Sequence, residues 1–187
     1  MMLSKSYTTM SDQDLVQECV KSNPAAQKVL YERYYSRMLA LCLRYSDSKD
    51  DAKDSLHDGF ILLFSKIESY SGKGSFEGWM RRVFVNNMLM KFRKRDVFKE
   101  SVSVDDVTWN VPVKEDVFEK IGSKNIIKLI SQMPQGYKVV FNMIVIEGYS
   151  YKEVAQKLNV SEVSVRSQLS RGRMWLKERI LKMENMQ

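Results

Sequence analysis

The sequence predicts an all-α protein in which two small helical domains are joined by a linker. Apolar residues recur every three to four positions through two long stretches of the chain, which is the period of an amphipathic helix. The segment between them lacks that period and mixes valine with serine and acidic residues. We therefore expect a first domain at residues 9–96, a linker at 97–122 and a second domain, which contains a helix-turn-helix, at 123–184.

The first domain is predicted to begin with two helices. Ser11 is suited to cap the first helix, which extends to about Lys21. Asn23 and Pro24 mark the start of the second helix, because proline at the first helical position loses no hydrogen bond. The second helix carries an apolar stripe at helical spacing, formed by Leu30, Tyr34, Met38, Leu41 and Tyr45.

A third helix is predicted from about Lys49 to Ile67, with one apolar and one acidic side. The apolar stripe consists of Ala52, Leu56, Phe60, Leu63 and Ile67. Four aspartates lie mostly off this stripe: Asp50, Asp51, Asp54 and Asp58.

A fourth helix is predicted from its cap, Ser75, to about Arg95, and its end is strongly basic. The side expected to be buried carries Phe76, Met80, Val83 and Met90. A second stripe holds Trp79, Arg82, Asn86 and Arg93. An aromatic ring, an amide and cations along one stripe suit the stacking of unpaired bases and the attraction of a nucleic-acid backbone. The alternative is that Trp79 belongs to the core and that the cations only complement the negative end of the helix dipole.

Near the C-terminus, the sequence indicates a short helix, a tight turn and a long helix, which is the layout of a helix-turn-helix. Ser150 and Glu153 form a capping box at the start of the short helix. Asn159 tolerates the left-handed conformation that the turn needs, and Ser161 caps the long helix. One face of the long helix is expected to be buried and consists of Val165, Leu169, Gly172, Leu176 and Ile180.

The opposite face of the long helix combines small polar residues with arginines. Its predicted members are Ser161, Val163, Ser164, Arg166, Ser167, Ser170, Arg171 and Arg173. Small side chains allow a close approach to the major groove of DNA, and arginine reaches guanine edges or phosphates. The alternative is a solvated surface helix with ordinary charged residues, but the coincidence of two capped helices with this basic face favours DNA binding.

Composition limits the remaining classes of function. The formal charge of +7 indicates a polyanionic partner, either nucleic acid or an anionic membrane surface. No stretch approaches the roughly 20 apolar residues that a membrane helix needs, and no secretory signal is evident, so we expect a cytoplasmic protein without membrane insertion.

Cys19, Cys42 and the only histidine, His57, cannot assemble a metal cluster. Without a catalytic triad or phosphate loop, neither enzymatic activity nor a cofactor is expected.

Three stretches of the chain, in the expected order, resemble the extracytoplasmic-function (ECF) sigma factors of bacterial RNA polymerase. Residues 74–87, which read GSFEGWMRRVFVNN, resemble the promoter-melting region of that family. Residues 50–60, DDAKDSLHDGF, resemble the polymerase-binding region that precedes it. Residues 133–141, MPQGYKVVF, followed by EGYS at 147–150, resemble the start of the promoter-reading domain.

The resemblance implies partners and roles for particular residues. The implied partners are core RNA polymerase, promoter DNA and a regulatory anti-sigma factor. Core polymerase binding is implied for Asp51, Asp54, His57 and Phe60. Capture of the melted -10 element is implied for Lys73, Phe76, Trp79, Arg82, Asn86 and Asn87, to which the basic end of the helix adds Lys91 and Arg93. The long helix of the helix-turn-helix would read the -35 element.

Two other functions stay open at this stage. One is a helix-turn-helix regulator that binds operators without contacting polymerase. The other is a sigma-like decoy that sequesters an anti-sigma factor, although such a decoy has no need of Arg166, Arg171 and Arg173 on its reading face.

Overall fold

The computed structural model describes residues 7–94 and 128–184, and every regular element within those ranges is a helix. The chain divides into two compact units, of which the first ends at Met90. The predicted linker, residues 97–122, lies outside the described residues, so its bounds stay a prediction. None of the described helices has an apolar stretch long enough to span a lipid bilayer.

The first unit contains four helices whose bounds lie within the described residues. They are α1 (Asp12–Val20), α2 (Pro24–Tyr45), α3 (Lys49–Lys66) and α4 (Phe76–Lys94), and a short 3₁₀ turn, Ile67–Ser69, follows α3. A polar side chain precedes each helix and accepts a hydrogen bond from a backbone N–H of its first turn, which stabilises the helix start. These caps are Ser11, Asn23, Ser48 and Ser75. The predicted starts of all four helices are therefore confirmed.

The apolar stripes of α2 and α3 form the core of the first unit. All ten residues predicted for these two stripes are buried. The prediction for α4 was wrong at Met90, whose side chain is 52% exposed. The buried line of α4 advances instead in steps of four from Phe76 to Phe92, and Met90 falls off that line. Its members are Phe76, Met80, Phe84, Met88 and Phe92.

Gly59 determines how closely α4 approaches α3. A Cβ atom placed on Gly59 would lie 2.3 Å from the nearest ring carbon of Phe84, which is far inside van der Waals contact. The ring of Phe84 also packs edge-on against that of Phe60, with 5.2 Å between centroids. The absence of a side chain at Gly59 therefore makes room for the fully buried ring of Phe84 on α4.

Two arginines of α2 join it to neighbouring elements. Arg33 donates to the Asp12 carboxylate at 2.8 Å and to the backbone carbonyl of Met10 at 3.0 Å, which holds the start of α1 against α2. Arg37 donates to the Glu77 carboxylate at 2.7 Å and so ties α2 to the first turn of α4. These contacts supplement the apolar packing in orienting α1 and α4.

The second unit contains α5 (Gln135–Phe141), a π-helical turn (Asn142–Ile146), α6 (Tyr151–Leu158) and α7 (Glu162–Glu184). The sequence predicted one continuous helix from Pro134 to Gly148, and the π turn is a departure from it. In that turn the Glu147 N–H donates to the carbonyl of Asn142, five residues back. Gly148 has a positive φ of 75°, in keeping with its predicted role at the helix end.

Helix α7 packs against α5 and its preceding residues through a second close approach. A Cβ atom on Gly172 would lie 3.1 Å from the Met133 Cε atom and 3.3 Å from the Tyr137 Cβ atom. At these distances the neighbouring atoms would have to move by a few tenths of an ångström to admit a methyl group, whereas the distances at Gly59 are much shorter. Glycine at position 172 thus lets α7 lie close to α5.

We predict that Gly59→Ala lowers the free energy of unfolding of the first unit. Alanine normally gains about 1 kcal/mol over glycine in a helix interior, but forcing a methyl group into a packed core costs about 1–3 kcal/mol or more. Urea unfolding of the full chain, with hydrogen exchange at the α3 amides, measures the change. Ser36→Ala, at an exposed position of α2, is the control and should change stability by less than about 0.5 kcal/mol. A gain in stability with Gly59→Ala would contradict the close packing of α3 and α4.

Candidate nucleic-acid interface

The second unit contains the predicted helix-turn-helix, formed by α6 and α7. The Ser150 hydroxyl accepts from the Glu153 N–H, and the Glu153 carboxylate accepts from the Ser150 N–H at 2.8 Å, so the capping box is present. Asn159 adopts the left-handed conformation, with φ 58° and ψ 46°. The Ser161 hydroxyl accepts from the Ser164 N–H at 3.1 Å and begins α7. Both helix starts and the turn are confirmed.

The face of α7 predicted to read DNA lies away from the core of the second unit. The five residues predicted for the buried face of α7 are all buried. On the other side, Val163 is 66% exposed, and Arg166 and Arg173 are also exposed. The remaining predicted residues beyond the cap are partly exposed: Ser164, Ser167, Ser170 and Arg171. Ser161 differs from them, because its hydroxyl caps the helix and serves the fold first.

Tyr151 contacts the reading face and was missed by the sequence analysis. The Arg166 guanidinium carbon lies 4.3 Å from the centroid of the Tyr151 ring, which is the geometry of a cation–π contact. Tyr151 begins α6, so this contact joins the two helices of the motif. An arginine stacked on a ring is restricted in its rotamers, while its N–H groups stay available at the edge of the guanidinium plane. Tyr151 therefore orients the arginine that lies nearest the start of α7.

In the first unit, α4 presents a line of exposed polar and apolar side chains. Arg82 and Asn86 are exposed, as is Met90 one turn further on. Trp79 is partly exposed, and its ring lies 5.4 Å from that of Tyr70 and 5.8 Å from that of Phe76. The indole is thus supported by the aromatic core on one side and accessible on the other. Trp79 therefore packs against core residues, as one interpretation of the sequence expected, and keeps an accessible side on which a base could stack, as the other expected.

Three of the residues predicted to contact the melted strand are not shown to be exposed. Phe76 is buried, Asn87 is partly buried, and the side chain of Arg93 lies outside the described residues. Phe76 is 3% exposed and packs edge-on against Tyr34 and Tyr70, so it lies in the core and not on the surface that its predicted role requires. Asn87 is partly buried, and its Nδ2 atom finds no hydrogen-bond partner among the described residues. Arg93 lies in α4, but its side chain is outside the described residues. Lys73 is exposed and Lys91 is partly exposed.

The outer face of α3 carries acidic residues and, one turn beyond them, an exposed apolar residue. Asp54 and His57 are exposed and Asp51 is partly exposed, as their predicted role requires. Phe60 is 3% exposed, since its ring packs 4.6 Å from that of Tyr31 in the core, so its predicted place on this surface was wrong. Ile61 was missed and is 70% exposed, one turn beyond His57. Its position off the apolar stripe of α3 was the available signal.

Burial affects two titratable groups of the first unit. Burial raises the pKa of the Cys19 thiol to about 11, so the thiol is protonated at neutral pH. Burial, together with a hydrogen bond to Asp12, also raises the pKa of Tyr34. Within residues 7–94 and 128–184, no group of three or more His, Cys, Asp or Glu side chains is placed to hold a metal ion. Cys19 and Cys42 are therefore buried packing residues, as predicted.

Family comparisons identify both units. The model of sigma-70 region 2 matches residues 30–97, and that of sigma-70 region 4 matches residues 123–176, which together make up more than half of the chain. The chain belongs to the sigma-70 family. Sigma factors of this family bind core RNA polymerase, recognise promoter DNA and direct transcription initiation, and this is the function of the chain.

Individual relatives place this sigma factor in the ECF group. It is 28% identical over 158 residues to the ECF RNA polymerase sigma factor SigE of Mycolicibacterium smegmatis, a match that spans 82% of this chain and 61% of that longer relative. It is 26% identical over 183 residues to the ECF RNA polymerase sigma-E factor of Haemophilus influenzae, covering 91% of this chain and 96% of the relative.

A solved structure supports the fold. The sigma factor RpoE of Bartonella quintana, crystallised with the anti-sigma factor NepR, matches with a TM-score of 0.51 and 20% sequence identity. The match covers 83% of this chain and 96% of that one. At this level of identity the likeness concerns the helical architecture alone.

Proposed function

We propose that this sigma factor divides its work among three surfaces. The outer face of α3 binds core RNA polymerase, the exposed line of α4 captures the melted -10 element, and the exposed face of α7 reads the -35 element. The observation that carries the proposal is that each region matched by the family models contains a helix with one buried face and an opposite face suited to nucleic acid. No residue is assigned a catalytic role.

The polymerase-binding surface, as we define it, consists of Asp51, Asp54, His57 and Ile61 on α3. Ile61 is exposed beside these charged residues, and it is the kind of apolar side chain that a protein–protein interface buries. The aspartates favour a basic partner surface and steer its approach. Asp51 also lies in the first turn of α3, where a negative charge stabilises the helix. Asp54 and Ile61 are therefore the better positions for a test.

We expect Asp54→Lys and Ile61→Ala each to weaken the binding of core polymerase. Truncation of a central interface residue typically costs more than about 1 kcal/mol, which is at least fivefold in affinity. Because both side chains are exposed in the free protein, its thermal stability should change little. Val20→Ala, at an exposed apolar position of α1, is the matched control. Titration of labelled core polymerase gives the affinities, and parental binding by both variants would remove α3 from this role.

The reading surface on α7 carries three arginines. Arg166 is held over Tyr151, Arg173 is exposed two turns further on, and Arg171 is partly exposed. Val163, which is 66% exposed, offers an apolar contact of the kind that a thymine methyl group accepts. This combination supports base readout in the major groove together with phosphate contacts.

Arg166→Ala should weaken recognition of the upstream element by about 1–3 kcal/mol if the guanidinium contacts a base edge in bidentate fashion. A contact to phosphate would instead lower affinity for all sequences alike and reduce the salt dependence of binding by about one ion. Fluorescence anisotropy with holoenzyme, wild-type and altered promoters, and a series of salt concentrations distinguishes the two. Lys182→Ala, exposed near the end of α7, is the control. Parental affinity for every promoter at every salt concentration would contradict the groove-facing assignment.

The α4 surface, defined as Lys73, Trp79, Arg82 and Asn86, is proposed to hold the melted strand. Promoter opening without ATP requires that the cost of unstacking each base, a few kcal/mol, be offset by new contacts. Stacking on an aromatic ring supplies roughly 1–3 kcal/mol per base, and the cations attract the backbone. The half-exposed indole of Trp79 and the exposed Arg82 match these two requirements.

Replacing Asn86 with alanine should reduce open complex while leaving closed complex nearly unchanged. Asn86 is exposed, and in the proposed role its amide contacts a base edge only after the strands have separated. Permanganate reactivity of thymines in the downstream element measures opening, and gel shift at low temperature measures closed complex. A template melted beforehand should restore activity, because the unpairing cost has already been met. Failure of that rescue in a folded variant would move Asn86 out of the melting role.

We also propose a regulator and a cellular location for this sigma factor. An anti-sigma factor is a fitting regulator, since the similar sigma factor of Bartonella quintana was determined in complex with one. The cytoplasm is the fitting location, because RNA polymerase works there.

A further inference from the structure

The loop that carries Lys73 is built from glycines and lies in open space. Gly72 and Gly74 flank the lysine with φ angles of 74° and 81°, a backbone conformation that side chains rarely allow. A Cβ atom on either glycine would have no neighbour within 4 Å. Side-chain packing at the two glycines therefore does not hold this loop, and a glycine on either side of Lys73 would leave the backbone a wide range of conformations.

Tyr70 connects this loop to α4. Its hydroxyl donates a hydrogen bond to the carbonyl of Gly74 at 2.8 Å. Its ring packs against Phe76 and Trp79, with centroid distances of 5.2 and 5.4 Å. The ring is thus anchored in the aromatic group at the start of α4, while the hydroxyl holds the end of the glycine loop.

We propose that Tyr70 is a positioning residue for promoter opening, whose hydroxyl holds the loop of residues 71–74 so that Lys73 is presented beside Trp79. The inference rests on the proposed function of the α4 surface and adds a residue to it. Ordering a glycine-rich loop before binding lowers the entropy lost when the strand binds. Tyr70 would act through Lys73 and need not touch DNA itself.

The hydroxyl can be removed without disturbing the ring. Tyr70→Phe deletes the hydrogen bond to Gly74 and keeps the contacts with Phe76 and Trp79. Tyr35→Phe is the matched control, since it also removes one hydroxyl from a partly exposed tyrosine of the first unit. Lys73→Ala and the double variant Tyr70→Phe with Lys73→Ala complete the set.

The loop itself provides the first measurement. Trypsin cleaves after lysine, so limited proteolysis of the free full-length chain reports how often the backbone at Lys73 opens. We expect about two- to tenfold faster cleavage at Lys73 in Tyr70→Phe, the range that corresponds to the loss of one ordinary hydrogen bond. Cleavage at other sites and the melting temperature should match those of the parent and of Tyr35→Phe. An unchanged cleavage rate at Lys73 would overturn the proposal.

Promoter opening by holoenzyme provides the second measurement. Permanganate reactivity should fall about two- to tenfold with Tyr70→Phe, and the double variant should open no less than Lys73→Ala alone. If Lys73→Ala impairs opening but Tyr70→Phe does not, the Tyr70 inference fails while the function of the α4 surface stands. If the two losses multiply in the double variant, Tyr70 acts independently of Lys73 and the inference also fails. If neither Lys73→Ala nor Asn86→Ala affects opening, the proposed α4 surface fails with it.

Discussion

The contact between Gly59 and the ring of Phe84 is the constraint on which the first unit depends. A single missing side chain lets α4 lie against α3, and the rings of Phe60 and Phe84 then fill the space between them. The outward faces of the same two helices carry the proposed polymerase-binding and strand-binding surfaces. A core that is close-packed transmits small displacements, so a change in the distance between α3 and α4 would shift one surface relative to the other. Close packing between α3 and α4 therefore fixes the distance between the surface proposed to bind polymerase and the surface proposed to bind the melted strand.

In the second unit, a close contact between helices and a cation–π contact hold the reading face in position. The buried face of α7 packs on α5 at Gly172, and the left-handed turn at Asn159 joins α7 to α6. The stacking of Arg166 on Tyr151 then links the position of α6 to a side chain of the reading face. Restricting an arginine before it meets DNA reduces the entropy cost of binding, as the Tyr70 hydroxyl is proposed to do for the Lys73 loop. In the second unit a tyrosine thus contacts an arginine, and in the first unit a tyrosine is proposed to hold the loop that carries a lysine.

Much of the fold could be predicted from local sequence, because helix caps and apolar stripes depend on residues close together in the chain. The caps at Ser11 and Ser161 and the left-handed turn at Asn159 are of this kind. The orientation of α4 is different: it is apolar on several sides, so its sequence period did not reveal which side is buried, and Met90 was misplaced. A family motif likewise indicates which residues matter without indicating whether each is exposed. Phe60 and Phe76 were therefore assigned to surfaces although both are core residues, while the exposed Ile61 and the contact of Tyr151 depend on tertiary packing that the pattern does not contain.

We infer that one chain carries two separate promoter-reading surfaces and brings them to DNA through core polymerase. In vitro transcription from a library of randomised promoters, with purified core polymerase and the products sequenced, tests this inference. We expect transcripts only when both proteins are present, and active promoters that share two short elements at a constant spacing. Active promoters that share a single element, or no transcription above that of core polymerase alone, would contradict it.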